Sequence, residues 1–303
     1  MRELDNSSLI KKFDPDKNLE SVDLLADQVG QVWREFKKVK LPENYKKVDR
    51  ILINAMGGSA LPGHMIKSIY FDELKKPLEV INSYKLPAYV NGKTLYLMVS
   101  YSGTTEEPLS TYDSAKDSGA KIFGIASGGK LAAEIKRGRM PGYVFDPKAN
   151  PSNQPRIGLG YTLAAHLGLF SRLGFIKITD LDIKKVLAIV SQAKKEFGFS
   201  NPFAKNKAKQ LAVKIKNKAL IVVASEHLAG SAHVFANQTN ETAKTLSAYH
   251  LISELNHHLL EGLRFPSVNQ RNLIAVSLDS YLYHPKNRLR YKITKEVIAK
   301  NKV

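Results

Sequence analysis

The stretch Leu95-Tyr96-Leu97-Met98-Val99-Ser100-Tyr101-Ser102-Gly103-Thr104-Thr105-Glu106-Glu107 decides the fold. A short apolar run enters a turn of serine, glycine and threonine, and the turn enters two carboxylates placed to open a helix. A buried strand that feeds a helix in this way is the repeating unit of a parallel sheet with helices on both faces. The same grammar occurs upstream. Ile51-Leu52-Ile53-Asn54 runs into Ala55-Met56-Gly57-Gly58-Ser59-Ala60, followed by Leu61-Pro62-Gly63.

Working outward, Leu78-Glu79-Val80-Ile81 and Ile122-Phe123-Gly124-Ile125 read as further strands, and the pattern predicts helices over 61–70 and 106–118. Asp146-Pro147-Lys148-Ala149-Asn150-Pro151-Ser152-Asn153-Gln154-Pro155 holds three prolines without periodicity and reads as a loop. An apolar helix over 158–173 and a basic amphipathic one over 180–197 follow, as a connector. Then Ala219-Leu220-Ile221-Val222-Val223-Ala224-Ser225 restarts the pattern, with strands expected over 246–252 and 273–278. The expected architecture is two tandem doubly wound α/β domains with mainly parallel sheets. Residues 1–155, including a helical segment at the amino terminus, form the first; 156–200 form the connector; 201–303 form the second.

Composition narrows the function classes. The chain of 303 residues contains no cysteine, which excludes disulfides, thiolate metal sites and cysteine nucleophiles. The amino terminus is polar and no apolar run approaches the roughly 20 residues of a spanning helix, so a cytoplasmic protein without a membrane partner is expected. Forty-six basic residues against 28 acidic ones give a net charge of +18. The lysines are dispersed and no nucleic-acid-binding signature accompanies them, so this surface reads as attractive to anionic metabolites rather than to DNA or RNA.

The turns after 54 and 99 place backbone N–H groups and the hydroxyls of Ser59, Ser100, Ser102 and Thr105 at strand carboxyl ends. That chemistry suits a phosphate monoester. Helix capping alone would also select serine and threonine at one such turn; two in one domain favour phosphate. Gly124-Ile125-Ala126-Ser127-Gly128-Gly129-Lys130 has the spacing of a nucleotide-binding loop, but Leu131 stands where the magnesium-binding hydroxyl belongs. A glycine turn after a strand accounts for it better.

Met56-Gly57-Gly58-Ser59-Ala60, Ser100-Tyr101-Ser102-Gly103-x-Thr105-Glu106, Ser127-Gly128-Gly129-Lys130-Leu131, Pro155-Arg156, Asn240-Glu241-x-Ala243-Lys244 and Glu254-Leu255-Asn256-His257 together resemble the SIS-domain sugar isomerases. Within them they resemble the bifunctional phosphoglucose/phosphomannose isomerase family. The last two motifs set Glu241 and His257 at 257 − 241 = 16 positions apart. The resemblance implies tandem SIS domains and a homodimer that interconverts glucose 6-phosphate with fructose 6-phosphate through a cis-enediolate. Mannose 6-phosphate is a further substrate that it admits, and no metal or other cofactor is implied. It implies that Gly58, Ser59, Ser100, Ser102 and Thr105 hold the phosphate, that Glu241 moves a proton between C1 and C2, that His257 assists ring opening, and that Arg156 stabilises the enediolate. A non-catalytic sugar-phosphate sensor on the same fold would keep the hydroxyl turns without needing Glu241 or His257.

Each role is compatible with general chemistry: a carboxylate can serve a proton beside a carbonyl, an arginine a developing oxyanion, an imidazole a ring oxygen. Alone, Glu241 would read as a helix-surface carboxylate and Arg156 as an ion-pair partner. His258 and Glu261 share a helical spacing beside Glu254, yet no HExxH pattern is present and no metal site is expected. His227, His233 and His250 carry no motif and read as structural.

The chain departs from the family pattern in three places. Phe235-Ala236-Asn237-Gln238-Thr239 is neutral where basic residues usually precede the glutamate, and His258 replaces the usual asparagine. The family's closing lysine maps to neither Lys300 nor Lys302, so the second domain reads as short at its carboxyl end.

Overall fold

In the computed structural model, residues 2–303 are described and Met1 lies outside them. The chain divides into two compact units. One runs to Gly63 and resumes over Asp72–Lys207; the other comprises His64–Phe71 and Ala208–Val303.

The first unit is organised by a five-stranded sheet of β1 (Arg50–Asn54), β2 (Leu78–Ile81), β3 (Thr94–Ser100), β4 (Lys121–Ala126) and β5 (Gly142–Val144). The strand order is β2-β1-β3-β4-β5, and every pairing is parallel. All seven residues of β3 are buried, as a central strand covered on both faces requires. Edge strand β2 buries only Leu78, so its alternating run Leu78-Glu79-Val80-Ile81 reports one covered face. Strand β5 has three residues, one of them glycine, too short to give a periodic signal in the sequence.

The order 2-1-3-4-5 reverses its winding between β1 and β3, so the crevice outside their carboxyl ends is the topological switch point. The two hydroxyl turns stand there. The 106–118 segment forms two short helices, Glu106–Ser110 and Tyr112–Asp117, rather than one. The break falls at Thr111, a buried residue. Its hydroxyl bonds the carbonyls of Glu107 and Pro108 and the side chains of Tyr96 and Asn54. A local hydroxyl bond competes with the helix ladder, and here the buried cluster wins.

The second unit has a three-stranded parallel sheet, order β7-β6-β8, of β6 (Ala219–Ala224), β7 (Ser247–Leu251) and β8 (Leu273–Ser277). Alternation along β6 assigns its two faces. Leu220, Val222 and Ala224 pack with Ala232 and Ala236 of the helix Ala229–Ala243. Val223 packs with Ile252, Leu255, Tyr283 and Tyr291. Tyr291 belongs to the helix Pro285–Lys300 and shares its one hydroxyl proton between the carbonyls of Leu278 at 3.0 Å and Val223 at 3.2 Å.

Both units are therefore α/β with parallel sheets, as the strand–helix alternation predicts. Among the described residues no helix is long and apolar enough to cross a membrane.

Candidate active site

Three turns converge at the carboxyl edge of the five-stranded sheet. The turn after β3 is built around Ser100, which is fully buried. Its Oγ accepts the N–H groups of Gly103 at 2.9 Å and Thr105 at 3.4 Å and lies 2.7 Å from Thr105 Oγ1. A hydroxyl has two lone pairs and one proton. With two N–H donors on its oxygen, Ser100 has its one proton left for the neighbouring hydroxyls, Thr105 Oγ1 at 2.7 Å and Ser102 Oγ at 3.4 Å. Ser102 Oγ accepts the N–H of Thr104 at 3.3 Å and lies 2.9 Å from Thr104 Oγ1, in an exposed position. The hydroxyls are thus oriented by the turn's own backbone before any ligand arrives.

Glycine is required where this turn meets the one after β4. Gly103 has φ +71°, and a Cβ there would fall 1.8 Å from the Gly128 carbonyl oxygen. Gly129, at φ +63°, returns the close approach: its Cβ would meet the Ser102 oxygen at 2.5 Å. Ser127 closes the contact by donating its hydroxyl to the Tyr101 carbonyl at 2.6 Å. The Gly124–Lys130 segment is therefore a strand–helix turn that buttresses the Ser100–Thr105 turn.

The turn after β1 joins the same cluster. Ser59 is buried and its Oγ accepts the Tyr101 N–H at 3.0 Å. Gly58 lies against the backbone of Arg156: a Cβ on Gly58 would stand 3.0 Å from Arg156 Cα. Arg156 sits in the short 3-10 turn Pro155–Ile157 and reaches Gln154 Oε1 at 2.8 Å. Gly58, Ser59, Ser100, Ser102, Thr105 and Arg156 are thereby all placed in the first unit, at the switch point.

Residues not singled out by the sequence hold this arrangement. Gln28 is fully buried in the helix Leu25–Phe36. Its amide lies within bonding reach of the carbonyls of Ala149 and Ile157 at 3.0 and 3.2 Å and accepts the Gly160 N–H at 3.1 Å. It pins the loop on both sides of Arg156. Asn150 donates to the Tyr101 hydroxyl at 2.7 Å, tying that loop to the β3 turn. These contacts span 49 to 132 positions, so no local pattern announces them.

Glu241 and His257 lie in the second unit. Glu241 is half-buried in the last turn of the helix Ala229–Ala243, whose chain then leaves through Lys244 in the left-handed conformation. His257 is exposed and follows the short helix Ile252–Leu255. The neighbouring His258 pairs through Nε2 with Glu254 Oε1 at 3.4 Å. Among the described residues no three histidine, cysteine, aspartate or glutamate side chains are grouped as a metal site needs. His233, on the same helix as Glu241, stacks on Tyr249 with centroids 4.4 Å apart and meets the His64 ring at a tilt, 4.6 Å away. Burial, with the nearby His233 and Lys67, lowers the His64 pKa to about 4, so that ring is neutral near neutral pH.

The comparisons with known proteins agree with the motifs. The chain is 34% identical over 284 residues to the bifunctional phosphoglucose/phosphomannose isomerase of Caldicellulosiruptor bescii, covering 92% of this chain and 81% of that protein. The chain belongs to the bifunctional phosphoglucose/phosphomannose isomerase family. Residues 204–303 match the family described as bacterial phospho-glucose isomerase C-terminal SIS domain. Two solved structures share the fold. A hypothetical protein from Thermus thermophilus aligns with TM-score 0.67 and 17% identity, covering 99% of this chain and 80% of that one. Tagatose-6-phosphate ketose/aldose isomerase from Escherichia coli aligns with TM-score 0.64 and 16% identity, covering 93% and 77%. The family resemblance and the SIS-type α/β fold read from the sequence are both borne out.

Proposed function

We propose that this phosphoglucose/phosphomannose isomerase family member interconverts glucose 6-phosphate and fructose 6-phosphate, and mannose 6-phosphate with them, by proton transfer through a cis-enediolate. The observation that carries the reading is the cluster of backbone-oriented hydroxyls at the β1/β3 switch point, with Arg156 against Gly58.

In this reading the phosphate lies on Gly58, Ser59, Ser100, Ser102 and Thr105. The Ser102 and Thr105 hydroxyls donate to its oxygens, and the chain's net charge of +18 favours the approach of a dianion. The carboxylate of Glu241 takes a proton from C1 of the open ketose and returns it to C2, while the hydroxyl proton of O1 passes to O2 within the cis-enediolate, which leaves the new carbonyl at C1. The Arg156 guanidinium stabilises the oxygen that becomes negative between those steps. His257 transfers the proton between ring oxygen and hydroxyl when the sugar ring opens. Returning the proton to either face of C2 gives glucose 6-phosphate or mannose 6-phosphate. Each step moves a proton between a side chain and the sugar or between the two sugar oxygens. A homodimer in the cytoplasm belongs to the same reading.

The test is to incubate the purified protein with fructose 6-phosphate and follow aldose phosphate formation, beside a Glu241→Gln variant. Aldose formation by the wild type, lost in the variant, supports the proposal. Binding of the sugar phosphate without turnover in either protein would leave a sensor instead.

A further inference from the structure

Each residue expected to move a proton is preceded by an asparagine whose side chain is bonded at both its donor and acceptor ends. Asn240 stands before Glu241, inside the last turn of the helix Ala229–Ala243. Its Nδ2 donates to the Ala236 carbonyl at 2.9 Å and to the Ser247 carbonyl at 2.7 Å. Its Oδ1 accepts the Ser247 N–H at 3.0 Å. One amide therefore binds the end of the helix to the first residue of β7, with both of its N–H donors in use. Asn256 stands before His257. Its Nδ2 donates to Thr294 Oγ1 at 2.8 Å, and its Oδ1 accepts from Arg290 Nη1 at 3.2 Å. Both partners belong to the helix Pro285–Lys300, and Thr294 is buried.

Asparagine is a poor choice inside a helix, because its side chain competes with the backbone for hydrogen bonds. At Asn240 that side chain is turned to a specific use, since leucine or alanine would satisfy helix propensity but leave the Ser247 N–H and carbonyl without the amide. Resting on the proposed isomerase reading, we infer that Asn240 and Asn256 are positioning residues that fix the backbones carrying Glu241 and His257. Neither touches substrate. Each acts through its neighbour by clamping a helix end or a loop to the next element of the second unit. The carboxylate and the imidazole then need to search only their own side-chain torsions, which lowers the ordering cost of reaching the reactive geometry.

The test is steady-state kinetics with fructose 6-phosphate on the wild type, Asn240→Ala, Asn240→Asp and Asn256→Ala, with Asn240→Ala repeated in a Glu241→Gln background. A misplaced base costs turnover and not phosphate affinity, so Asn240→Ala is expected to lower kcat about 10- to 100-fold, with KM and the directly titrated substrate Kd unchanged. Asn240→Asp keeps the acceptor for Ser247 N–H but turns an oxygen toward two carbonyls, so kcat falls again, in a variant that serves if the alanine form does not fold. In the Glu241→Gln background the loss from Asn240→Ala shrinks to about twofold or less, because a residue acting through Glu241 has nothing left to position. Asn256→Ala behaves likewise against a His257→Ala background. An active wild type whose Asn240 and Asn256 variants keep their kcat overturns the inference alone, as does an undiminished loss in the Glu241→Gln background. A wild type that binds fructose 6-phosphate without turning it over overturns the isomerase reading and this inference together.

Discussion

The carboxyl edge of the five-stranded sheet and the helix ends of the three-stranded unit hold their candidate residues by different means. At the first, the polar groups are backbone N–H and short hydroxyls; those of the β3 turn are fixed by bonds that span two to five residues, and the three turns are locked together by Ser59 on the Tyr101 N–H and by glycines pressed against one another. At the second, a glutamate and a histidine project from a helix end and a loop, and what fixes them is an asparagine bonded to another element. An anion cradle can be rigid because phosphate changes neither charge nor place during isomerisation. Acid–base groups must move protons between two carbons or two oxygens, so their backbones are anchored while their side chains keep their torsions.

The largest effect that would sharpen this contrast lies in the second unit. Glu241→Gln keeps the size of the side chain and removes its basicity, and should lower kcat by about 10²- to 10⁴-fold with the Kd for fructose 6-phosphate unchanged. Equal losses in both would break the separation of binding from chemistry. Next comes Gly103→Ala in the first unit. Its Cβ cannot coexist with the Gly128 oxygen at 1.8 Å, so the two turns must part. Substrate Kd should rise more than tenfold and the thermal midpoint should fall by several degrees, with a loss of about 2–4 kcal/mol.

A smaller effect is expected for Ser100→Ala. It leaves the Gly103 and Thr105 N–H groups without their shared acceptor and removes the hydroxyl that holds Thr105 Oγ1. At about 1–3 kcal/mol for groups left unpaired, KM should rise roughly tenfold and kcat change less. Kinetics on the purified variant decide it, and a kcat loss larger than the KM change would contradict the assignment of this turn to binding.

The smallest effect concerns pH. His166 is fully buried in the helix Leu159–Arg172 and places Nδ1 2.6 Å from the Thr162 carbonyl. Burial lowers its pKa from 6.5 to about 4. The unfolded chain therefore binds a proton there at a pH where the folded chain does not. The stability from this group is present above about pH 6.5 and is lost as pH falls toward 4. Thermal midpoints measured between pH 7 and pH 4.5 should decline, and less steeply in His166→Leu. His64, with a pKa lowered to about 4, supplies the same trend in the second unit.

Strand–helix alternation and the two hydroxyl turns were legible because their signals are local. A run such as Leu95–Val99 followed by Ser100–Thr105 states both the strand and its exit. The 2-1-3-4-5 order was not legible, since no pattern in a strand names its neighbours. The break at Thr111 was hidden for a similar reason: it depends on Tyr96 and Asn54, which reach it only in the folded sheet. Gln28 and Asn150 set the Arg156 loop through contacts more than forty positions away. Glu241 and His257 were found through family motifs. Composition and periodicity alone would have left them a surface carboxylate and an exposed imidazole.

The central claim is that Glu241 carries a proton between C1 and C2. It is tested most directly by converting fructose 6-phosphate in D2O and reading the C2 position of the product glucose 6-phosphate by NMR. A carboxylate that holds the proton between steps exchanges it with solvent, so the wild type should place deuterium at C2 and Glu241→Gln should form almost no product. Product carrying only protium at C2, as a direct hydride shift would give, or undiminished conversion by Glu241→Gln, would contradict the account.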